Sequence, residues 1–436
     1  MVENKKQIKI AMICHFSTAE VRSHLPLDDR MVYRFVRKIL RLPDKAGGYG
    51  DIAPWDKEMI EDIRNREDID LYVISAHTGL KRSVVSFQDN NVHYSFVRCD
   101  YAVLLKHLIR SPKIWMALNL MRRRVRSLVN SISPDLLLLV GTENAYIAST
   151  ALGFSDIPTY VLCQTIYNNP ERSIYGTVDP HNAYVERKLI EQVPYFGVYC
   201  KKHYDILREL STGKTIFKFD WPSKGELLTP VEREKKYDFV NFALGMSLKK
   251  GFHDAIKALA IVKEKYPNVQ LNLVGGGDNQ IREELNQLVL DCGLDNNVMF
   301  TSFFEKQSDM FYHIQQSRYA VLPCKMDDIA GTMNQAMQLG LPLIVYETTG
   351  TPRLNKDKQC VLIAKHSDVE DLAAKMLQLL DNQELAEQLK INALDFQRKM
   401  AEDIRKNGDR LVDNFFAIVE HYHLHSAIPK GQLFND

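Results

Sequence analysis

The chain has 436 residues, 45% hydrophobic, 25% charged and 9% aromatic, which is too long for one ordinary core and fits two domains of roughly 150 to 220 residues. This composition excludes a disordered, collagenous or disulfide-stapled chain. With 56 basic against 55 acidic side chains the formal charge is +1, so no global field draws the protein to nucleic acid or to acidic polymers.

In chain order, the apolar run at residues 8–14 is short and is broken by His15, which predicts a buried parallel strand and not a signal peptide. Comparable runs at 71–75, 136–140 and 159–163 are separated by helix-competent segments, the rhythm of a doubly wound α/β domain. Residues 1–220 hold 31 basic and 25 acidic side chains, and residues 221–436 hold 25 and 30. Five of the basic ones lie in residues 113–128, beside Ile114, Trp115, Leu118, Met121 and Val125. That pattern predicts a basic amphipathic helix whose aromatic anchor could rest on an anionic membrane surface, or whose apolar stripe packs on the sheet.

Residues 221–236 contain two prolines and a glycine without apolar periodicity; they predict an interdomain linker, with Trp221 and Pro222 shaping a hinge. Domains are therefore expected at 1–222 and 235–405, followed by a C-terminal segment at 406–436. After the linker the alternation is stricter. Strands are expected at 237–244, 269–277, 297–303, 319–323 and 342–347, with helices at 251–267, 280–292, 309–316 and 333–339 between them. Such alternation requires a parallel sheet with right-handed crossovers, whose ligands bind beyond the carboxyl ends of the strands. Seven cysteines, an odd number without a CxxC pair, read as reduced and mostly buried thiols of a cytosolic protein. No window approaches 18 uninterrupted apolar residues, so no membrane-spanning helix is expected.

Three loops carry candidate chemistry. Gly245-Met-Ser-Leu-Lys-Lys-Gly251 leads straight into a helix; an ammonium beside unpaired helix amides suits a diphosphate, so Lys249 or Lys250 could hold one. Gly275, Gly276, Gly277 and Asp278 follow a strand, where glycine allows a ligand to approach or simply makes a tight turn. No GxGxxG fingerprint follows the first strand, which removes the main support for a nicotinamide-dependent oxidoreductase. The third loop bears Asp327 and Asp328, then Ala330 and Gly331 opening a helix that contains Gln335. The amides of residues 329–331 are expected to face a ligand. Two adjacent aspartates without a third carboxylate or a histidine make a poor metal site, so no metal is assigned.

The order and spacing of KKGFHDAIKALAIVKEKYP, LNLVGGGD, NNVMFTSF, MDDIAGTMNQAMQLGLPLIV and YETTGTP resemble the nucleotide-sugar-binding domain of retaining family 4 glycosyltransferases of the GT-B fold. Roughly a third of the chain carries this similarity. It implies two doubly wound Rossmann-like parallel-sheet domains facing across a cleft, with the final segment crossing back to the first domain. It also implies transfer of a hexosyl group from a nucleotide-sugar, used as substrate with no further cofactor, to a glycan or lipid-linked acceptor in surface polysaccharide biosynthesis. The protein is then expected in the cytoplasm, peripheral to the inner face of the membrane through residues 113–128, without a nucleic-acid partner.

On the family's pattern the diphosphate lysine corresponds to Lys250, while Met246 stands near the place of an arginine that has no counterpart. The family's two glutamates fall on Asp327, for the donor sugar, and Gln335, for the ribose; Asp328 can substitute for Asp327. The backbone near Gly350 and Thr351 is implied to receive the diphosphate. The cleft histidine and acid correspond to Gln164 and Glu143, and residues 15–24, including His15, replace a glycine-rich loop. From the residues alone, Glu143 suits equally a cap on the following helix, and His15 a hydrogen-bonded core role. Two other functions fit the resemblance: a catalytically degenerate nucleotide-binding module, or a nucleotide-sugar epimerase or hydrolase.

Overall fold

The computed structural model describes residues 7–28, 35, 38–39, 52–174, 178–221, 227–276, 279–302, 304, 306–404 and 406–434. Residues 222–226 of the expected linker, with its Pro222, and both Gly277 and Asp278 lie outside that set. The chain divides into two compact units: Met1–Ser173 with Thr177–Lys224 and Ile404–Asp436, and Ile174–Gly176 with Gly225–Asp403.

Unit 1 is built on an eight-stranded sheet of β1 (Ile8–Cys14), β2 (Ile69–His77), β3 (Val84–Asp89), β4 (Val92–Arg98), β5 (Leu136–Val140), β6 (Thr159–Leu162), β7 (Tyr195–Val198) and β8 (Thr215–Lys218). The order is β3-β4-β2-β1-β5-β6-β7-β8. All pairs are parallel except β3–β4. Side chains of β1 alternate between faces: Ile8, Ile10, Met12 and Cys14 enter one apolar cluster, Ala11 and Ile13 the other. Both faces are covered, which is why the strand reads as a continuous apolar run. The antiparallel edge was not expected. It turns at Asn90 and Asn91, both at positive φ (47° and 64°), the backbone a two-residue hairpin turn requires. At the other edge, Phe434 N donates to Ile216 O (2.9 Å) and Leu433 bridges to Phe217, so the C-terminal residues cover β8.

The expected basic helix is two helices, Pro112–Leu118 and Met121–Ile132. Asn119 interrupts them: its Nδ2 donates to Tyr146 O (2.8 Å) and its Oδ1 accepts from Met121 N (3.1 Å), side-chain bonds that compete with a helical backbone. Trp115, the expected anchor, is buried, and its indole nitrogen donates to Ala102 O (3.0 Å). Met121, Val125 and Val129 face the sheet. The last helix, Asn407–Leu424, packs on unit 1's sheet through Phe415 and Ile418, and Asn414 Nδ2 donates to Lys218 O (3.1 Å).

Unit 2 has six parallel strands, β9 (Tyr237–Gly245), β10 (Leu271–Gly276), β11 (Val298–Thr301), β12 (Ser317–Leu322), β13 (Leu343–Tyr346) and β14 (Val361–Ala364). Their order is β11-β10-β9-β12-β13-β14, so the winding direction reverses between β9 and β12. At such a switch point the loops after the two central strands diverge and leave a crevice. The corresponding reversal in unit 1 lies between β1 and β5. All seven cysteines are free thiols, six of them buried. No helix among the described residues is long and apolar enough to cross a membrane.

Candidate functional site

At the unit 2 switch point the loops after β9 and β12 are laced together. The first ends in a 3-10 turn, Leu248–Lys250, then Gly251, at φ 76°. A Cβ on Gly251 would run into Pro323 O, so glycine here provides both the left-handed backbone and the close approach of the two loops. Lys325 N donates to Lys249 O (2.9 Å). Lys250 Nζ then ion-pairs with Asp327 Oδ2, and Cys324 Sγ stands 3.4 Å from the same oxygen. Burial alone would lower the Lys250 ammonium, but the Cys324 thiol and Asp327 beside it hold it above its ordinary value. Burial would likewise raise the Asp327 carboxyl, yet Lys250 holds it below the usual carboxylate range. Lys249 is exposed and Lys250 half-buried; of the two lysines, the geometry engages Lys250.

The neighbouring aspartate has a different setting. Asp328 is buried, its Oδ2 accepts from Arg353 Nη2 (3.0 Å), and its Oδ1 has no partner. Gly350 makes room for it: a Cβ there would lie 2.7 Å from the Asp328 carboxyl carbon. The amides of Gly350 and Thr351, expected to face a diphosphate, both donate to Thr348 Oγ1 (3.3 and 3.2 Å), whose hydroxyl donates to Asp328 O (2.5 Å). Thr351 is fully buried; its hydroxyl donates to Tyr346 O (3.0 Å) and accepts from Thr348 N (2.9 Å). These groups stabilise the loop after β13.

Ala330 is the buried N-cap of helix Gly331–Gln338, in which Gln335 is half-buried. A Cβ on Gly331 would meet nothing within 4 Å, so the helix opens onto unfilled space. Gly245 and Gly276 are paired where β9 and β10 shift register. Gly275 (φ 156°) lies so close to Ala243 O that a side chain cannot be added.

Four residues of this neighbourhood escaped the sequence reading. Ser247 Oγ, in the loop after β9, is buried without a hydrogen-bond partner. Lys325 and Asp254 form a buried ion pair (2.8 Å), and Tyr346 Oη donates to the same carboxylate (2.8 Å). This triad ties the loop after β12 to the helix Phe252–Lys265. The position of Lys325 directly after the Pro-Cys step was the available signal; the partner, 71 positions away, was not.

At the unit 1 switch point, Glu143 does not cap the next helix. The N-cap of Ala145–Ala148 is Asn144, without a side-chain cap bond. The Glu143 carboxylate instead folds over Gly141 (φ 79°), where a Cβ would lie 2.5 Å from Glu143 Oε1. Its Oε2 is buried and unpartnered. Burial pushes its pKa up to about 7; its own amide and that of Thr142 pull back, while Glu186 adds to the rise. Asp56, also buried with an unpartnered Oδ1, is raised by burial and then by Glu143. His15 lies edge-on to Tyr146, whose hydroxyl is 3.1 Å from His15 Nε2. Gln164 O accepts from Tyr199 Oη (3.1 Å). Glu186, missed in the sequence, clamps the following loop: it accepts from Thr142 Oγ1 (2.6 Å), Tyr167 N (2.9 Å) and Asn168 N (2.7 Å).

Residues 226–396 match the family model of glycosyl transferases group 1. Over 155 residues the chain is 25% identical to an uncharacterized glycosyltransferase of Haemophilus influenzae, covering 35% of this chain and 41% of that one. Over 137 residues it is 27% identical to the amylovoran biosynthesis glycosyltransferase AmsK of Erwinia amylovora, covering 30% and 33%. The chain thus spans less than half the length of these two relatives. The solved structure of a sucrose-phosphate synthase from Thermosynechococcus elongatus superposes with a TM-score of 0.66 at 14% identity, over 94% of this chain and 100% of that one. The protein therefore has the GT-B fold, and its residues 226–396 are similar to the glycosyl transferases group 1 domain.

Proposed function

We propose that the protein is a retaining glycosyltransferase that moves a hexosyl group from a nucleoside diphosphate donor to a hydroxyl of a glycan or lipid-linked acceptor, in polysaccharide construction. The observation that carries this reading is the placement of Lys250 at the β9/β12 switch point, paired with Asp327 and next to the unpartnered Ser247 Oγ. In the transfer, the bond from the anomeric carbon to the diphosphate oxygen breaks and a bond to the acceptor oxygen forms. The acceptor's proton leaves with the diphosphate. The demand on the protein is to stabilise negative charge on that leaving group. Lys250 meets it as a point charge held in place by its loop; Ser247 Oγ adds a hydroxyl donor, and the opening of helix Gly331–Gln338 adds a positive dipole end. Asp327, released from Lys250 when phosphate arrives, takes a sugar hydroxyl. Gln335 hydrogen-bonds the ribose. The donor is a substrate, and no resident cofactor is assigned.

Unit 1 offers the acceptor His15 and Glu143, after β1 and β5 at its own switch point, and Gln164 after the neighbouring β6. A lipid-linked acceptor suits the exposed Ile114 and Leu118 beside Lys113, which give residues 113–128 an apolar, cationic edge toward an anionic surface. Lys250→Ala is expected to lower product formation ~100-fold or more, the scale of losing one charge-stabilising donor. Unchanged turnover in that variant would refute the assignment. Nucleotide binding without product across donors and acceptors would instead identify a binding module, and donor conversion without acceptor an epimerase or hydrolase.

A further inference from the structure

Unit 2 has a second concavity, at the opposite ends of its strands. It lies where β12 and β13 begin, between residues 230–235, the end of helix Gly331–Gln338 and the helix Gln383–Ile404, with a volume of about 510 Å³. Small-molecule sites occupy roughly 300–1,000 Å³. Arg233, Lys235, Arg318 and Lys390 line it against two carboxylates, Glu232 and Glu387. Lys390 pairs with Glu387 at 3.2 Å, and Arg318 reaches Asp238 at 3.5 Å. The other two cations are oriented without being neutralised. Lys235 Nζ is held by Gln315 O (2.8 Å) and Ser317 O (3.0 Å). The Arg233 guanidinium lies over the Tyr312 ring, 3.3 Å from its centroid, and its Nε is buried with no acceptor. Burial lowers the Lys235 ammonium, and Lys390 and Arg318 lower it further while Glu232 opposes them, which reflects a local excess of positive charge.

We propose that this cavity is an anion site, separate from the loops after the strands, that takes a phosphorylated sugar. Charged N–H groups with no carboxylate to satisfy them match phosphate oxygens. The cavity is larger than a lone phosphate fills, and Glu232 and the Gln383 amide on its walls suit sugar hydroxyls. The test is calorimetric titration of the full-length protein with glucose 1-phosphate, inorganic phosphate and glucose. Expected are saturable binding of glucose 1-phosphate, weaker binding of inorganic phosphate and none of glucose. Lys390→Gln and Arg233→Gln should each weaken glucose 1-phosphate about tenfold, the effect of losing one charge-assisted contact, and Lys250→Ala should leave it unchanged. Lys390 is half-buried, with its side chain 41% exposed, and its loss leaves the core intact, so its result stands if Arg233→Gln fails to fold. Binding that disappears in Lys250→Ala but survives Lys390→Gln, or that never saturates, overturns the site. Equal affinity for inorganic phosphate overturns its assignment to a sugar.

Discussion

Lys250 and Asp327, 77 positions apart, meet as an ion pair between the loops after β9 and β12, while Asp328, one residue on, turns the other way to Arg353. Adjacent aspartates thus have separate duties. One occupies the cation proposed for the diphosphate; the other braces the loop after β13.

Asp327→Asn should release Lys250 from its internal partner. Nucleoside diphosphate is expected to bind about 2- to 5-fold more tightly, the scale of a partly exposed ion pair removed as competitor, while sugar transfer falls. Calorimetry with the diphosphate and a turnover assay separate the two effects. Weaker diphosphate binding would show that the pair does not compete with the ligand.

Gly251→Ala should cost about 1–3 kcal/mol of stability, because the new side chain meets a positive φ and the Pro323 carbonyl together. Urea denaturation measures this. Transfer should fall as well, since the displaced loop carries Lys250.

Lys325→Met leaves the Asp254 carboxylate buried, with its charge unpaired and the Tyr346 hydroxyl still donating to it, and should destabilise the protein by about 3–5 kcal/mol. The double variant Lys325→Met with Asp254→Leu should be more stable than this single one, because no buried charge is then left alone. Thermal unfolding of the three proteins checks the order.

The pKa of Glu143 is raised from its ordinary 4.5 to about 7. The folded state therefore binds a proton that the unfolded chain has already released between about pH 4.5 and 7, so stability falls as pH rises through that window and is lowest above it. Glu143→Gln removes the charge, and its advantage over the natural protein should be absent near pH 4 and full at pH 8. Denaturation at both values tests this; an advantage independent of pH would show that the carboxyl is not so perturbed.

Much of the fold could be read before any coordinates. Apolar runs such as Ile8–Cys14 and Leu136–Val140 are buried on both faces, and only parallel sheets covered on both sides produce them in alternation with helices. The candidate loops were legible for the same reason, because the residues following each strand lie at the sheet's ligand-binding end. The β3–β4 hairpin was missed although its Asn-Asn turn is present, since edge strands alternate polar and apolar side chains and look like surface. What the chain could not state was pairing. Whether Lys249 or Lys250 engages, which aspartate answers it, that Asp254 waits for Lys325, and that Glu143 folds over Gly141 instead of capping a helix are contacts between segments brought together only when the sheets form. Local residue types determine which elements exist; burial and the exclusion of water decide which charges must find each other.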